Sequence, residues 1–300
     1  MYVLLGSHGN ITAQAARLLL AQGRKVRVVG RDASALSALK AAGAEIALGE
    51  VTDAAFLTSA FGGATAVYAM IPPHYGAADM GAFQDAASQA IVAAIAASGV
   101  RRVVHLSSTG AHLPSGTGPI AGLHRQEQRL NHLANVDVLH LRPGYFFENH
   151  LAAIGLIQAF GVYPDMIDSA TPIPSVATAD IAAVVARELV NFGTRGKAVL
   201  HLRAATMPTQ AQAATILGRA VGLPDLKHVQ ADAAEAKAGM VQHGFSHNVA
   251  DLFEQMSRAF STPEFGVALK AGPTEITPTT LEDFARDVFA AAYGAVRKAA

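Results

Sequence analysis

The sequence predicts an α/β protein, a doubly wound parallel sheet followed by a smaller, mainly helical C-terminal part. Three observations carry this reading. Short apolar runs alternate with segments of helical spacing through the first two hundred residues. The first run, Tyr2 to Leu5, breaks at a glycine turn, Gly6-Ser7-His8-Gly9, and passes into a helix start. A hydrophobic content of 51% over 300 residues supports a sizeable core.

A strand, glycine turn and helix start aim several unpaired backbone N–H groups, and the positive end of a helix dipole, at one point that suits a phosphate. Gly6 and Gly9 permit the sharp bend and the close approach of a pyrophosphate, with Ser7, His8, Asn10 and Ile11 in the same turn. The helix carries Ile11, Ala15, Leu18, Leu19 and Leu20, stops near Gly23, and leads to a second strand, Lys25 to Val29. Such a strand–helix–strand unit of about 30 residues is the setting that makes a dinucleotide fingerprint credible. Thr12 stands where a small residue normally lets helix and strand pack closely, so the pose of the helix or the cofactor affinity is expected to feel it.

Gly30-Arg31-Asp32 follows, where dinucleotide folds choose between cofactors. A carboxylate there accepts the ribose hydroxyls of NAD, and an arginine pairs with the extra phosphate of NADP. Arg31 favours NADPH, and Asp32 keeps NAD open. A short helix, Ala33 to Ala42, leads to a third strand, Ala44 to Leu48, and to Gly49-Glu50-Val51-Thr52-Asp53. Glu50 and Val51 fall at the adenine end, and Asp53 caps the helix that runs to Phe61. The fourth strand, Thr65 to Ile71, is almost continuously apolar, as a strand covered on both faces should be. Pro72-Pro73-His74-Tyr75 stops it. Ligands of such sheets lie beyond the carboxyl ends of the strands, so Met70, Ile71 and Pro72 are expected at the nicotinamide, with His74 and Tyr75 towards the substrate.

A long helix within Ala77 to Ser98 precedes strand five, Arg102 to Leu106, which ends in Ser107-Ser108-Thr109-Gly110. A helix holding His124, Glu127 and Leu130 leads to strand six, Asp137 to Leu141. Arg142-Pro143-Gly144-Tyr145-Phe146-Phe147-Glu148-Asn149 then combines rigid turn residues with three aromatics, in the manner of a pocket wall. Thr178 to Asn191 reads as a helix and Ala198 to Leu202 as a strand, and Thr209 to Gln212 and Thr279 to Glu282 have capping-box spacing. The expected division is a nucleotide-binding part over 1–150, rejoined by 176–204, and a smaller, mainly helical substrate-binding part over 151–300.

Zero formal net charge, without blocks of one sign, gives no electrostatic footprint for nucleic acid or an anionic membrane. No apolar run approaches the length that spans a bilayer, no leader precedes the first strand, and there is no cysteine. A cytoplasmic protein with a small-molecule partner is the expectation, and a homodimer is left open. His243 and His247 stand one helical turn apart, but the glutamate of a metalloprotease helix and a third ligand are missing, so no metal site is expected.

Short-chain dehydrogenases often protonate their substrate with a tyrosine whose pKa is lowered by a lysine four residues on. None of the six tyrosines has a lysine there, and no lysine occurs between Lys40 and Lys197. Two readings follow. Hydride goes to an acceptor electrophilic enough to need no such pair, a quinone or a dye, with His124 as the candidate acid. Alternatively, the protein senses the dinucleotide without turnover and acts through a protein partner.

The GSHGNIT turn, Arg31, GEVTD at Gly49, LSSTGA at Leu106, Glu127 with Leu130, LRPGYFFEN at Leu141, TADIAAV at Thr178 and TPTTLEDF at Thr277 together resemble the NmrA-like branch of the atypical short-chain dehydrogenases. That family includes NADPH-dependent quinone reductases, triphenylmethane dye reductases and non-catalytic redox-sensing regulators. The resemblance implies cofactor contacts at Gly6, Ser7, Gly9, Asn10, Ile11, Arg31, Met70 to Pro72, and Pro143 with Tyr145. In the reductase reading, Tyr75, Tyr145, Phe146 and Phe147 pack an aromatic acceptor against the nicotinamide, and Asn149 orients it. Ser107 or Ser108 hydrogen-bonds near the carboxamide.

Overall fold

The computed structural model describes residues 1–6 and 9–299, with the backbone alone for 268–271 and 297–299. The chain runs β1 (Tyr2–Leu5), α1 (Asn10–Ala21), β2 (Val26–Gly30), α2 (Ser37–Ala41), β3 (Glu45–Leu48), α3 (Ala54–Phe61), β4 (Ala66–Ala69), α4 (Met80–Ser98), β5 (Arg102–Leu106), α5 (Ile120–Asn131) and β6 (Asp137–Pro143). Next come β7 (Tyr145–Phe146), a 3-10 turn over Phe147–Ala153, α6 (Ile154–Phe160), β8 (Tyr163–Asp165), β9 (Ser175–Val176), α7 (Thr178–Val190), β10 (Lys197–Ala204), α8 (Gln210–Ala220) and β11 (His228–Gln230). The chain closes with α9 (Ala233–Gln242), α10 (His247–Ala259), α11 (Pro263–Ala271), β12 (Thr274–Thr277), α12 (Leu281–Phe284), a π-helical turn over Ala285–Phe289 and α13 (Ala290–Ala299).

Eight strands make one parallel sheet in the order β12-β10-β6-β5-β4-β1-β2-β3. Strand order reverses at β1, which pairs with β2 on one side and β4 on the other, and this opens the crevice where doubly wound sheets hold ligands. Both faces are covered. Leu4, Val28, Tyr68, Val104, Leu139 and Leu202 pack with Ile11, Ala15 and Leu19 of α1 and with Ile181, Val185 and Leu189 of α7. On the opposite face Val3, Leu5, Val29, Val67, Val103 and Val138 meet Leu57 and Phe61 of α3, Ala87, Ile91 and Ala94 of α4, and Leu130 of α5. A third cluster, centred on Phe147, Tyr163, Leu217, Phe284 and Phe289, belongs to the C-terminal half.

Three sequence expectations shift. β4 ends at Ala69, two residues early, because Pro72 and Pro73 have no N–H to extend a ladder. β6 continues to Pro143, whose carbonyl accepts from the Thr109 N–H at 2.9 Å. The second capping box is formed by Thr280 and Asp283 rather than Thr279 and Glu282, since Thr279 donates its N–H and hydroxyl to Asp180 on α7. The box at Thr209 and Gln212 stands as read.

Helices α9 to α11 form a cap over the carboxyl side of the sheet. Ser246 ties this cap to the loop after β4: its N–H donates to the Tyr75 carbonyl at 2.9 Å and its hydroxyl to the Ala77 carbonyl at 2.6 Å, while Asn248 accepts from the Met80 N–H. The loop after β5 is tied down as well. A Cβ on Gly118 would stand 2.0 Å from the Leu252 carbonyl oxygen, and the Gly118 N–H donates to Gln255.

Candidate active site

The glycine turn lies at the carboxyl end of β1, beside the reversal of strand order. Gly6 has φ +96°, and a Cβ there would stand 2.8 Å from Thr12 Oγ1 and 3.1 Å from Met70 Sδ. Thr12 is buried and its hydroxyl donates to the Leu5 carbonyl at 3.0 Å. The threonine therefore replaces close packing by a hydrogen bond that ties α1 to the end of β1. Helix α1 starts after Gly9, which offers no side-chain cap, and there is no acidic residue in its first turn. A helix start of that kind has the donor set a pyrophosphate requires. Gly9 and Asn10 are exposed there, and Ile11 is buried, so Ile11 offers its backbone alone. Ser7 and His8 lie outside the described residues.

At the ends of β2 and β3, Arg31 is 54% exposed and stands 3.9 Å from Glu50. Such a loose exposed pair costs little to break, so the guanidinium is available to a phosphate. Val51 is buried in the core cluster that includes Leu57 and Phe61 of α3. Asp32 accepts from the Ser34 N–H at 2.8 Å and from the Ser34 hydroxyl at 2.6 Å, which turns the carboxylate into the local bend.

At the end of β4, Met70, Ile71 and Pro72 are half-buried, with Met70 against Gly6. His74 packs on Phe83 at 4.9 Å, and Tyr75 stacks on Phe245 at 4.7 Å and meets Phe253 edge-on. Tyr75 thus joins the cap to the sheet.

At the end of β5 the expectation for Ser107 is corrected. Ser107 is buried and its hydroxyl donates to Glu127 of α5, so its side chain serves the core, while the half-buried Ser108 donates its own hydroxyl to the Thr109 carbonyl at 2.9 Å. Glu127, itself buried, also accepts from Arg142 Nε at 2.9 Å and Nη2 at 2.5 Å. Burial alone would raise its pKa, but the Arg142 hydrogen bonds, with His140 and Ser107, outweigh it and hold the carboxyl below its usual range.

This pair heads a buried polar column on the α5 side of the sheet. His105 and His140 face each other in register on β5 and β6, with Nδ1 atoms 2.9 Å apart. His140 Nε2 lies 2.9 Å from Asn131 Oδ1, so it carries the proton, and His140 Nδ1 then accepts from His105. Burial lowers the pKa of His105 to about 3, aided by His140, and that of His140 to about 4. Burial also lowers His150 to about 4. An unfolded histidine titrates near pH 6.5, so these rings favour the folded state above about that value and forfeit the advantage as pH falls towards their folded values, by about 1.4 kcal/mol per pH unit for each. Asp165, raised to about 6 by burial, has the opposite sign, and one carboxylate does not offset three imidazoles. The urea midpoint should fall clearly between pH 7 and pH 5. An equal midpoint at both would mean that the rings are protonated in the folded protein.

The segment after β6 separates its aromatics. Tyr145 and Phe146 are half-buried, pairing with Ser175 and Val176. Phe147 is corrected: the chain turns into a 3-10 helix there and drives the ring fully inside, 5.6 Å from Phe284, out of reach of an acceptor. Glu148 caps α7 through the Thr178 N–H and hydroxyl, which leaves Asn149 exposed. The His124 Nδ1 sits 2.9 Å from the Ala111 carbonyl and donates to it, which orients the ring and leaves Nε2 on its other side.

A glycine turn running into a helix start, an arginine at the second strand end and a crevice at the strand-order reversal are the features of a dinucleotide-binding protein of the doubly wound class. The chain belongs to the NAD(P)H-binding family, whose model matches residues 6–191. It is 25% identical to the NAD(P)H azoreductase of Xenophilus azovorans, over 98% of this chain and all of that one. Its fold matches the NADPH-dependent quinone oxidoreductase QOR2 of Escherichia coli in complex with NADPH at a TM-score of 0.75 and 21% identity, over 96% of this chain and all of that one. It matches the triphenylmethane reductase of Citrobacter sp. complexed with NADP(H) at 0.75 and 18% identity, over 95% and 99% of the two chains.

Sequence reasoning missed the buried column and the group around Tyr163. A signal was present for the first: the strands Arg102-Val-Val-His-Leu106 and Asp137-Val-Leu-His-Leu141 carry a histidine at the same step of otherwise apolar runs, and Glu127 lies on the inward face of α5 between Gly122 and Leu130. For the second, residues from β8 and the turn after β7 meet only in three dimensions.

Proposed function

We propose that this chain is an NADPH-dependent reductase that delivers hydride to an electrophilic aromatic acceptor, such as a quinone or a dye. The observation that carries the reading is the uncapped start of α1 beside the loosely paired Arg31, a donor set suited to a pyrophosphate and to a 2′-phosphate. The names of the relatives, which pair NAD(P)H with an azo compound, a quinone and a triphenylmethane, supply the acceptor class. When bound, the nicotinamide supplies a hydride. Gly6, Gly9, Asn10 and Ile11 would hold the pyrophosphate, Arg31 the 2′-phosphate, and Met70 to Pro72 with Pro143 the nicotinamide end. Tyr145, Phe146 and Ser108 would line the acceptor side.

Arg31→Ala should weaken NADPH about tenfold, the worth of one charge-assisted contact, and leave NADH unchanged. Fluorescence titration with each nucleotide measures this, and an unaltered preference removes Arg31 from the site. The function itself is tested by following NADPH oxidation with a panel of quinones and dyes. Oxidation proportional to enzyme supports the reductase, whereas tight NADPH binding with no turnover across the panel returns the sensor reading.

A further inference from the structure

Hydride delivery to a neutral acceptor leaves an anion that must be protonated, and the usual tyrosine–lysine pair is absent from this chain. The structure brings another tyrosine to the carboxyl end of β6. Tyr145 is held rigidly there: its N–H donates to the Pro174 carbonyl at 2.7 Å, and β7 pairs with β9. Its ring is half-buried, and its centroid lies 5.4 Å from His150, which in turn lies 5.7 Å from Tyr163. The His150 Nδ1 stands 2.7 Å from the Tyr163 hydroxyl, and both residues are buried. The Tyr163 side chain lies close enough to the Tyr145 hydroxyl to bear on its ionisation.

Resting on the reductase reading, we propose that Tyr145 is the proton donor of the site, with Tyr163 and His150 as positioning residues, and that the chain therefore takes acceptors needing a proton together with the hydride, aromatic azo compounds foremost. An N=N bond shows the need. As hydride adds to one nitrogen, the π pair becomes a lone pair on the other, a base far too strong to form free in a cleft. That nitrogen takes the proton of the Tyr145 hydroxyl. The azo compound is reduced by two electrons to a hydrazine, NADPH is oxidised to NADP⁺, and the Tyr145 oxyanion accepts the hydrogen bond of Tyr163 until solvent returns a proton. Burial, with the Asp165 charge adding to it, pushes the Tyr145 hydroxyl well above its usual range, which keeps the donor loaded through the neutral region.

The test compares two acceptors. Methyl red needs a proton, whereas malachite green is already a cation and is reduced by hydride alone. Tyr145→Phe, which keeps the ring and its packing, should lower the methyl red to malachite green kcat ratio about tenfold or more, and Tyr163→Phe should move it in the same direction. In the wild type, a solvent deuterium effect of about twofold is expected with methyl red and none with malachite green. Equal slowing of both dyes by Tyr145→Phe, or reduction of malachite green without methyl red by the wild type, overturns the proposal and leaves the reductase standing. Turnover of no acceptor in the panel overturns both. A readout without nucleotide is independent of activity. In protein with ¹³C-ring-labelled tyrosine, the Cζ resonance lost in Tyr145→Phe should remain that of a neutral phenol after exposed tyrosines have ionised and should shift in Tyr163→Phe. Ionisation near pH 10 with no response to Tyr163→Phe also overturns it.

Discussion

Glu127→Ala destabilises the protein by about 3–5 kcal/mol, the cost of breaking a buried ion pair by removing one partner. The side chain of Glu127 is 3% exposed and that of Arg142 is 12% exposed, so neither charge has water to fall back on. The alanine removes three accepted hydrogen bonds at once. Ser107 loses its acceptor, and the guanidinium is left facing His140, whose protonation Glu127 otherwise favours. Glu127→Gln keeps the volume and an oxygen for Ser107 but drops the charge, and should fall between wild type and alanine. Urea unfolding at pH 7.5 measures all three, and a loss under about 1 kcal/mol for Glu127→Ala would place the pair among hydrated surface contacts.

Gly6→Ala lowers NADPH affinity by about a hundredfold, about 2.7 kcal/mol of binding free energy. Two physical terms act together. A φ of +96° strains any L side chain, and the new methyl meets Thr12 Oγ1, which cannot retreat because it holds the Leu5 carbonyl. Either β1 and α1 separate or the turn changes shape, and the N–H groups at the start of α1 lose their aim. Gly9→Ala separates the causes. Gly9 has φ −58°, and a Cβ there would meet no other part of the described chain within 4 Å, its chain neighbours aside, so that variant should keep its melting temperature and lose only affinity. Thermal unfolding and NADPH titration of both variants check this. A Gly6→Ala protein that binds as wild type would mean that the turn is not the pyrophosphate site.

Much of the fold was readable along the chain because a parallel sheet buried on both faces writes its strands as apolar runs. Tyr2 to Leu5, Arg102 to Leu106 and Asp137 onward all lie where the runs lie. Strand β12 was not readable. Thr274, Glu275 and Thr277 surround a single apolar residue, Ile276, which is 48% exposed, so an edge strand covered on one side left no pattern to see. The turn residues of the site were legible for the same local reason, since glycines and strand ends are properties of a few neighbouring residues. The fates of Tyr145, Phe146 and Phe147 were not. Three consecutive aromatics look alike in sequence, and only the change from β7 to a 3-10 turn decides which rings stay half-buried and which enters the core.

The histidine pair between β5 and β6 also bears on how the chain finds its alignment. The two strands are near copies of one another, Val-Val-His-Leu beside Val-Leu-His-Leu, and a slide of two residues would keep every side chain on its own face. Hydrophobic burial discriminates poorly between the true alignment and such a slide. The imidazoles discriminate well. In the native pairing the two rings share a hydrogen bond, whereas a two-step slide sets His105 against Val138 or Arg142 and strands both Nδ1 atoms between apolar layers, at about 1–3 kcal/mol for each unmatched group. Two residues with no part in hydride transfer thus act as a key that admits one alignment of two almost interchangeable strands.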